Sequence, residues 1–255
     1  MAGPLPALPP DVRDDWAKLS TPTEQPAAFD PASLAALPAP VRRWLTHAIA
    51  PGSPLRCSAE LRTHGQIRIG RWLPYQARWV LAPPAGFVWA ATARAAGVPI
   101  NGFDRYTRGS GQMRWRLLGR LPVLSAEGTD VTRSAAGRLA GEFVFCPAAA
   151  LSPAVSWEPL DEHRAVASFA LGEFVQRVTL RVAASGAVES VSMLRWGDPD
   201  GDGFGEYPFG ADITAEASFD GFTVPSRARV GWHYGTDRWA KGEFFRLVVD
   251  SATYR

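Results

Sequence analysis

Residues 100–119 read INGFDRYTRGSGQMRWRLLG, which are two short strands of alternating character joined by a glycine-rich turn. Gly109 and Gly111 mark the turn, and Asp104 and Tyr106 share one face of the first strand because side chains alternate along a strand. The connection leaves no room for a crossover helix, so the two strands must be antiparallel neighbours. This stretch predicts a meander of β-hairpins.

The same period of two extends through most of the chain. Upstream strands are RTHGQIRIG, RWLPYQARWVLAP and GFVWAATAR, with Gly65, Gly70 and the pair Pro83-Pro84 at turn positions. Seven more strands follow residue 150, and Asp220-Gly221 is a tight-turn signal between two of them. A sheet of about a dozen strands must curl, because strand twist accumulates. The sequence therefore predicts a mainly β (α+β) fold, a large curved antiparallel sheet or half-barrel with a few helices packed against it.

Helical signals occur in two places, near residues 31–50 and 129–147. Asp30 is suited to cap the first region, and a second helix within it, from Pro40 to about Ala50, places Val41, Trp44, Leu45 and Ala48 on one face. The second region, TDVTRSAAGRLAGEFVFCP, begins at a capping Thr or Asp and ends at a proline. Residues 1–30 are rich in proline and predict a mostly irregular arm, with room for a short helix near residues 11–19. We therefore expect one curved antiparallel β domain over residues 31–255.

Composition excludes several classes of protein. Of 255 residues, 46% are hydrophobic and 20% charged, which is typical of a globular domain, and the net charge of +2 is too small to favour a nucleic-acid partner. No segment approaches the roughly 20 apolar residues of a transmembrane helix, and the N-terminus lacks the pattern of a signal peptide. We expect a cytoplasmic protein, or one at most peripheral to a membrane. Cys57 and Cys146 are then expected to be reduced thiols, although a disulfide between them stays open.

The aromatic content predicts a hollow. Ten Trp and 13 Phe residues exceed what two short helical regions can cover on a curved sheet. Ligand sites are typically concave and apolar with few polar groups. We therefore expect the concave face to leave an apolar cavity.

Residues 198–206, DPDGDGFGE, begin like a calcium-binding loop. Asp198, Asp200, Asp202 and Gly203 match its positions 1, 3, 5 and 6, but position 12 is Phe209, which has no ligating oxygen. A solvated turn is the favoured interpretation, and a weak cation site is the alternative. The four histidines show no zinc-site spacing, so neither a metal nor a cofactor is predicted.

A few polar residues lie within apolar elements. Glu142 is part of GRLAGEFVF, Asp104 faces the same way as Tyr106, and Arg195 ends VSMLRW. A buried acid requires a partner, usually Arg, and we expect Arg114 or Arg195 to pair with Asp104 or Glu142. Such a pair would fix a helix to the sheet, read a polar group of a ligand, or transfer protons.

Several stretches together resemble a bacterial family catalogued as a domain of unknown function, number 6544 or 6920. They are NGFDRYTRGSGQMRWRLLGRLPV, RLAGEFVFCP, VSWEPLDE and PFGADITAEASFDGFTVPSRARVGWHYGTDRW, and the resemblance covers roughly residues 30–255. The family implies no activity. The pattern is also weakly similar to lipoprotein-carrier half-barrels, in which a curved antiparallel sheet holds lipid against a helical plug, but this chain lacks their export signal.

Three functions are compatible with these observations. The favoured one is binding of a hydrophobic small molecule or acyl chain in the concavity, with Arg195 at its polar head and Glu142 as the internal partner of that arginine. The remaining ligand-binding candidates are Trp89, Asp104, Tyr106, Trp157 and Trp232. The second is a cofactor-independent isomerase, cyclase or hydrolase, in which Glu142, Asp104, Tyr106 or His233 acts as acid or base. The third is a protein-interaction module that docks a partner on exposed strand edges.

Overall fold

The computed structural model describes residues 6–255, in which a single antiparallel sheet of 13 strands dominates. The strands are β1 (Ala59–Ile69), β2 (Arg71–Ala82), β3 (Gly86–Ala95), β4 (Val98–Thr107), β5 (Ser110–Leu117), β6 (Leu121–Glu127), β7 (Ser156–Pro159), β8 (Arg164–Leu171), β9 (Phe174–Val182), β10 (Val188–Gly197), β11 (Gly205–Phe219), β12 (Phe222–Trp232) and β13 (Glu243–Tyr254). The predicted fold class is confirmed.

The strand order shows how the chain builds this sheet. It runs β6-β5-β4-β3-β2-β1-β13-β12-β11-β10-β9-β8-β7, so the first and last strands pair at the centre, with Ala59 opposite Tyr254. The chain forms one half of the sheet as a meander from β1 to the edge strand β6. It then crosses to the other edge and returns as a second meander from β7 to β13.

The crossing segment contains the longest helix. α3 (Thr129–Glu142) is followed by two 3₁₀ turns, Phe143–Phe145 and Pro147–Leu151, in the region predicted as helical up to residue 147. α3 contacts β4 and β5 in one half of the sheet and β9 and β10 in the other. It therefore bridges the two halves across their concave face.

The sheet is strongly curled. A Cβ atom placed on Gly172, in the turn between β8 and β9, would lie 3.3 Å from the hydroxyl of Tyr106 in β4. These strands are far apart in the strand order, so only curvature brings them together. The sheet stays open, with β6 and β7 as its edges.

The other helices cover both faces. α2 (Ala39–Ala48) buries Val41, Trp44, Leu45 and Ala48, as its predicted face requires, and packs on the concave side in the main core. A 3₁₀ turn, Pro31–Leu34, precedes α2. Asp30 caps this turn by accepting a hydrogen bond from the Ala32 amide at 2.9 Å. α4 (Trp239–Gly242) is a single turn before β13.

The N-terminal segment adds a helix on the outer face. A 3₁₀ turn, Pro10–Val12, leads into α1 (Arg13–Leu19), which packs its apolar side against β2 and β3 in a small second cluster. The predicted irregular arm, residues 1–30, thus contains an ordered helix; its first five residues lie outside the described part. Within residues 6–255, no helix has the length and apolarity to cross a membrane.

The prediction of a turn at Gly65 is wrong. Gly65 lies inside β1, where a Cβ atom would come within 1.9 Å of the Arg246 carbonyl oxygen on β13. The glycine is required there by the close approach of a neighbouring strand at positive φ, and not by a reversal of the chain.

Candidate functional site

The concave face encloses a cavity of about 410 Å³ beneath α3. This lies within the usual range for small-molecule sites, roughly 300–1,000 Å³. Residues from α3 and from strands of both halves of the sheet line it, and most of them are apolar. Nine aromatic residues belong to the lining: Trp79, Phe87, Trp89, Phe145, Phe204, Phe209, Trp232, Phe244 and Phe245.

A charged cluster stands in this apolar wall. The Arg138 guanidinium of α3 donates from Nη1 to Asp104 Oδ2 on β4 at 2.8 Å, and from Nε to Glu142 Oε1 one helical turn away at 2.8 Å. The indole of Trp115 donates to the other oxygen of Asp104 at 3.1 Å. The Arg138 side chain also lies over the ring of Trp89, 5.0 Å from its centroid. The cluster therefore fixes the helix to the first half of the sheet.

Burial shifts the titration of this cluster. It raises the pKa of Asp104 and of Glu142 above their ordinary values, although Arg138 opposes both shifts. Burial alone would lower the pKa of Arg138, but Glu142 and Asp104 hold it above its ordinary value. The carboxylates thus share one cation, in a site where ionisation is unfavourable.

Arg195, near the end of β10, is held differently. Its Nε donates to the carbonyl oxygen of Ser134 at 3.2 Å and its Nη2 to the Ser134 hydroxyl at 3.4 Å. Its guanidinium lies 4.5 Å from the ring centroid of Phe209 and 5.2 Å from that of Trp232. Burial lowers the pKa of Arg195 to about 10, and the nearby Arg138 adds to this shift.

Two polar atoms in the lining lack partners. Glu142 Oε2 and Trp79 Nε1 are buried and form no hydrogen bond with any residue of the described chain. Buried polar atoms are normally satisfied by protein or water. The cavity therefore offers an acceptor, or a donor when Glu142 is protonated, and a separate indole donor to an occupant.

The structure places five of the seven predicted ligand-binding residues at the cavity. They are Trp89, Asp104, Glu142, Arg195 and Trp232. Tyr106 is instead buried in the core beside the β8–β9 turn. Trp157 packs against Trp44 and Phe143, and its indole donates to the carbonyl oxygen of Ala150 at 3.2 Å. Neither lies in the lining.

The expected ion pairs formed with a different arginine. Arg114 pairs with Asp11 on the outer face at 2.8 Å, and Arg195 has no carboxylate within 4.0 Å in the described residues. Asp104 and Glu142 both pair with Arg138 instead. Its position four residues before Glu142 on a helix was the available signal.

The aspartate-rich loop is held by its own hydrogen bonds. Asp198 Oδ1 accepts from the amides of Gly201 and Gly203 at 2.8 and 3.1 Å. Asp200 pairs with Arg238 at 2.7 Å and lies 3.4 Å from Nε2 of the buried His233. Cys57 is exposed and Cys146 is buried, and the two thiols are unpaired.

Comparison with solved structures gives one similar domain, described as an outer membrane lipoprotein-sorting protein from Vibrio parahaemolyticus. The two chains share 7% identity, and the match covers 78% of this chain and 85% of that one with a TM-score of 0.39.

No curated protein matches the sequence. A family model described as a family of unknown function (DUF6544) matches residues 27–244. This confirms the first of the two family numbers given by the sequence resemblance. The chain therefore belongs to the DUF6544 family.

Proposed function

We propose that this protein binds one hydrophobic, lipid-like molecule inside its curled sheet. The observation that carries the proposal is the cavity of about 410 Å³ with its mostly apolar lining. A ligand in an apolar space of that size gains packing contacts with the side chains that line it. Filling it with a hydrocarbon chain also removes apolar surface from water, at about 25 cal/mol for each Å².

The lining gives the ligand an orientation. Ile213, Val230 and Leu247, on β11, β12 and β13, provide apolar surface for a hydrocarbon portion. Arg138, Glu142 and Arg195 gather on the side covered by α3. A ligand with one polar end would place that end at these charged residues. Few polar groups in an otherwise apolar site are the usual source of specificity.

Native mass spectrometry of protein purified from its own host tests this function. We expect a bound mass that is released by organic solvent and replaced by an added long-chain alcohol. A clean apo mass, together with no binding of such an alcohol, would contradict the proposal.

Glu142 supports a second candidate, a cofactor-independent enzyme acting on a hydrophobic substrate in the same cavity. Its Oε2 has no hydrogen-bond partner among residues 6–255, and burial raises its pKa. A raised pKa and an unpartnered oxygen in the lining are properties that suit a carboxyl group to act as a general acid. An ordinary pKa for Glu142 would remove the support for this alternative.

A further inference from the structure

We infer that the ligand of this cavity is an amphipathic anion whose acidic head binds Arg195. The inference rests on the proposed function and names the class of ligand. It is carried by the position of Arg195, a cation in an apolar wall that has no carboxylate partner among residues 6–255. The two carboxylates of the cavity, Asp104 and Glu142, are both bound to Arg138.

The hydrogen bonds of Arg195 leave part of its guanidinium free. Nε and Nη2 donate to Ser134, and no donation from Nη1 occurs within residues 6–255. The rings of Phe209 and Trp232 pack against the guanidinium group. A planar guanidinium held in this way is suited to a carboxylate or phosphate oxygen.

The charge balance also favours an anion. Arg105 also belongs to the lining, but its charge is paired with Asp15 of α1. Asp104 and Glu142 carry at most two negative charges, against two positive charges on Arg138 and Arg195. Protonation of either acid leaves the cavity with net positive charge. A buried charge without a partner is costly, so an anionic ligand would stabilise the site more than a neutral one.

Three twelve-carbon probes test the inference: dodecanoate, dodecanol and dodecylamine. We expect the full chain to bind dodecanoate at least about tenfold more tightly than dodecanol, because a charged hydrogen bond contributes roughly 1.5–3 kcal/mol. Dodecylamine should bind least well. Arg195→Met should remove the preference for dodecanoate and keep the affinity for dodecanol.

Arg133→Met is the matched control. Arg133 also lies over a tryptophan, Trp196, and pairs with Glu206 at 2.6 Å, but it is not part of the lining. This variant should keep the preference for dodecanoate. Equal affinity of the three probes for the wild-type chain would overturn the anionic inference and leave the proposed function standing. Failure of all three to bind would overturn both.

A separate observation concerns the outer end of the first half of the sheet. The turns β1–β2, β3–β4 and β5–β6 lie side by side, since alternate turns of a meander fall at the same end. The Leu118 amide donates to the Pro99 carbonyl at 2.9 Å and ties two of these turns together. We call residues 67–72, 94–99 and 116–124 the basic rim.

Apolar side chains of the basic rim are unusually exposed. Six of them leave between 39% and 60% of their surface in solvent: Ile69, Val98, Leu118, Leu121, Val123 and Leu124. Exposed aliphatic residues clustered on one end of a molecule mark an interaction surface.

The charges of the basic rim have one sign. Its sequences, IRIGRW, RAAGVP and RLLGRLPVL, contain no Asp or Glu. Arg71, Arg94, Arg116 and Arg120 are exposed and take part in no ion pair within the described residues. Arg68 is the fifth arginine, and it donates to the Lys241 carbonyl.

We propose that the basic rim docks on an anionic lipid bilayer. Aliphatic side chains would enter the boundary between headgroups and acyl chains, and the arginines would bind lipid phosphates. A nucleic acid offers phosphates but no apolar phase for the six aliphatic side chains. Ile67 lines the cavity two residues before Ile69 on the same strand face, so the docked end adjoins the binding site.

Vesicle flotation tests this proposal with the full chain. We expect binding to mixed phosphatidylcholine–phosphatidylglycerol vesicles, weaker binding at high salt, and little binding to phosphatidylcholine alone. Arg116→Ser with Arg120→Ser should weaken binding roughly 30-fold, at about 1 kcal/mol for each arginine. Leu118→Ser with Leu121→Ser should weaken it as well.

Two control pairs lie on other surfaces. Arg62→Ser with Arg227→Ser removes exposed arginines, and Val175→Ser with Leu194→Ser removes exposed aliphatic residues. Both pairs should bind like the wild type. No binding to anionic vesicles, or equal losses in rim and control variants, would overturn the proposal. So would a dimer that buries the basic rim and leaves vesicles unbound.

Discussion

Glu142 is the residue whose chemistry depends most on its surroundings. Its carboxyl group shares Arg138 with Asp104, and burial raises its pKa above the ordinary value of 4.5. The Glu142 carboxyl group of the folded protein therefore keeps its proton at a pH where the same group in the unfolded chain has released it. Stability from the protonated form is complete below the unfolded pKa, and it is lost as the pH rises through the higher folded pKa.

Glu142→Gln tests this sign. We expect the free energy of unfolding of the variant, relative to wild type, to increase as the pH rises above the ordinary Glu pKa of 4.5, with a slope of at most ~1.4 kcal/mol per pH unit. Chemical denaturation at several pH values measures the difference. Asp161→Asn is the control, because hydrogen bonds from the His163 amide and Arg164 lower the pKa of this exposed acid. Its difference should be constant over the window, and a constant difference for Glu142→Gln would contradict the shift.

At this scale, sequence reasoning identified the unusual residues better than their partners. Asp104, Glu142 and Arg195 stood out because each interrupts an apolar pattern. Arg138 was missed because an arginine on a helix is ordinary until the sheet buries it. Tyr106 was predicted because it shares a strand face with Asp104, and Trp157 because of its residue type. Neither signal shows whether a ring faces a cavity or fills the core.

The helix α3 carries two glycines on its cavity side, and they should respond differently to substitution. A Cβ atom on Gly141 would meet only Met193 Sδ, at 3.8 Å, which is ordinary contact. A Cβ atom on Gly137 would lie 3.0 Å from Arg195 Cγ. Gly141→Ala should therefore stabilise the protein by about 0.5–1 kcal/mol, through the lower conformational freedom of the unfolded chain.

Gly137→Ala is the companion variant. It should gain less stability, because Arg195 must move, and it should weaken dodecanoate binding more than dodecanol binding. Denaturant unfolding and calorimetric titration provide the two measurements. A destabilising Gly141→Ala would contradict the ordinary contact distance of 3.8 Å between this position and Met193.

Elements were predictable where local signals determine them. Gly70, the Gly109 region and Asp220-Gly221 lie at turns between consecutive strands, as their sequences indicate. The turn prediction at Gly65 failed because the need for glycine there is set by Arg246. That residue is 181 positions away in sequence but adjacent in the sheet. A local window carries no information about such a neighbour.

For the molecule as a whole, some features could be predicted from the sequence and others depended on distant contacts. Curvature followed from strand number and twist, and the cavity from an excess of aromatic residues over helical cover. The strand order did not follow, because a simple meander would leave β1 and β13 at opposite edges. Residues 128–155 carry the chain across the concave face, so β1 and β13 pair at the centre. That pairing depends on contacts between the ends of the chain.

The central claim is that this curled sheet holds an apolar ligand in its hollow. Calorimetric titration of dodecanoate into the wild type and into Ala211→Phe tests it most directly. Ala211 lines the cavity from β11 and is only partly buried, so a phenylalanine there would occupy the space of the ligand. We expect one dodecanoate per wild-type chain and no binding to Ala211→Phe, with both proteins unfolding cooperatively. Equal binding of dodecanoate by the two folded proteins, or failure of the wild type to bind both dodecanoate and dodecanol, would contradict the account.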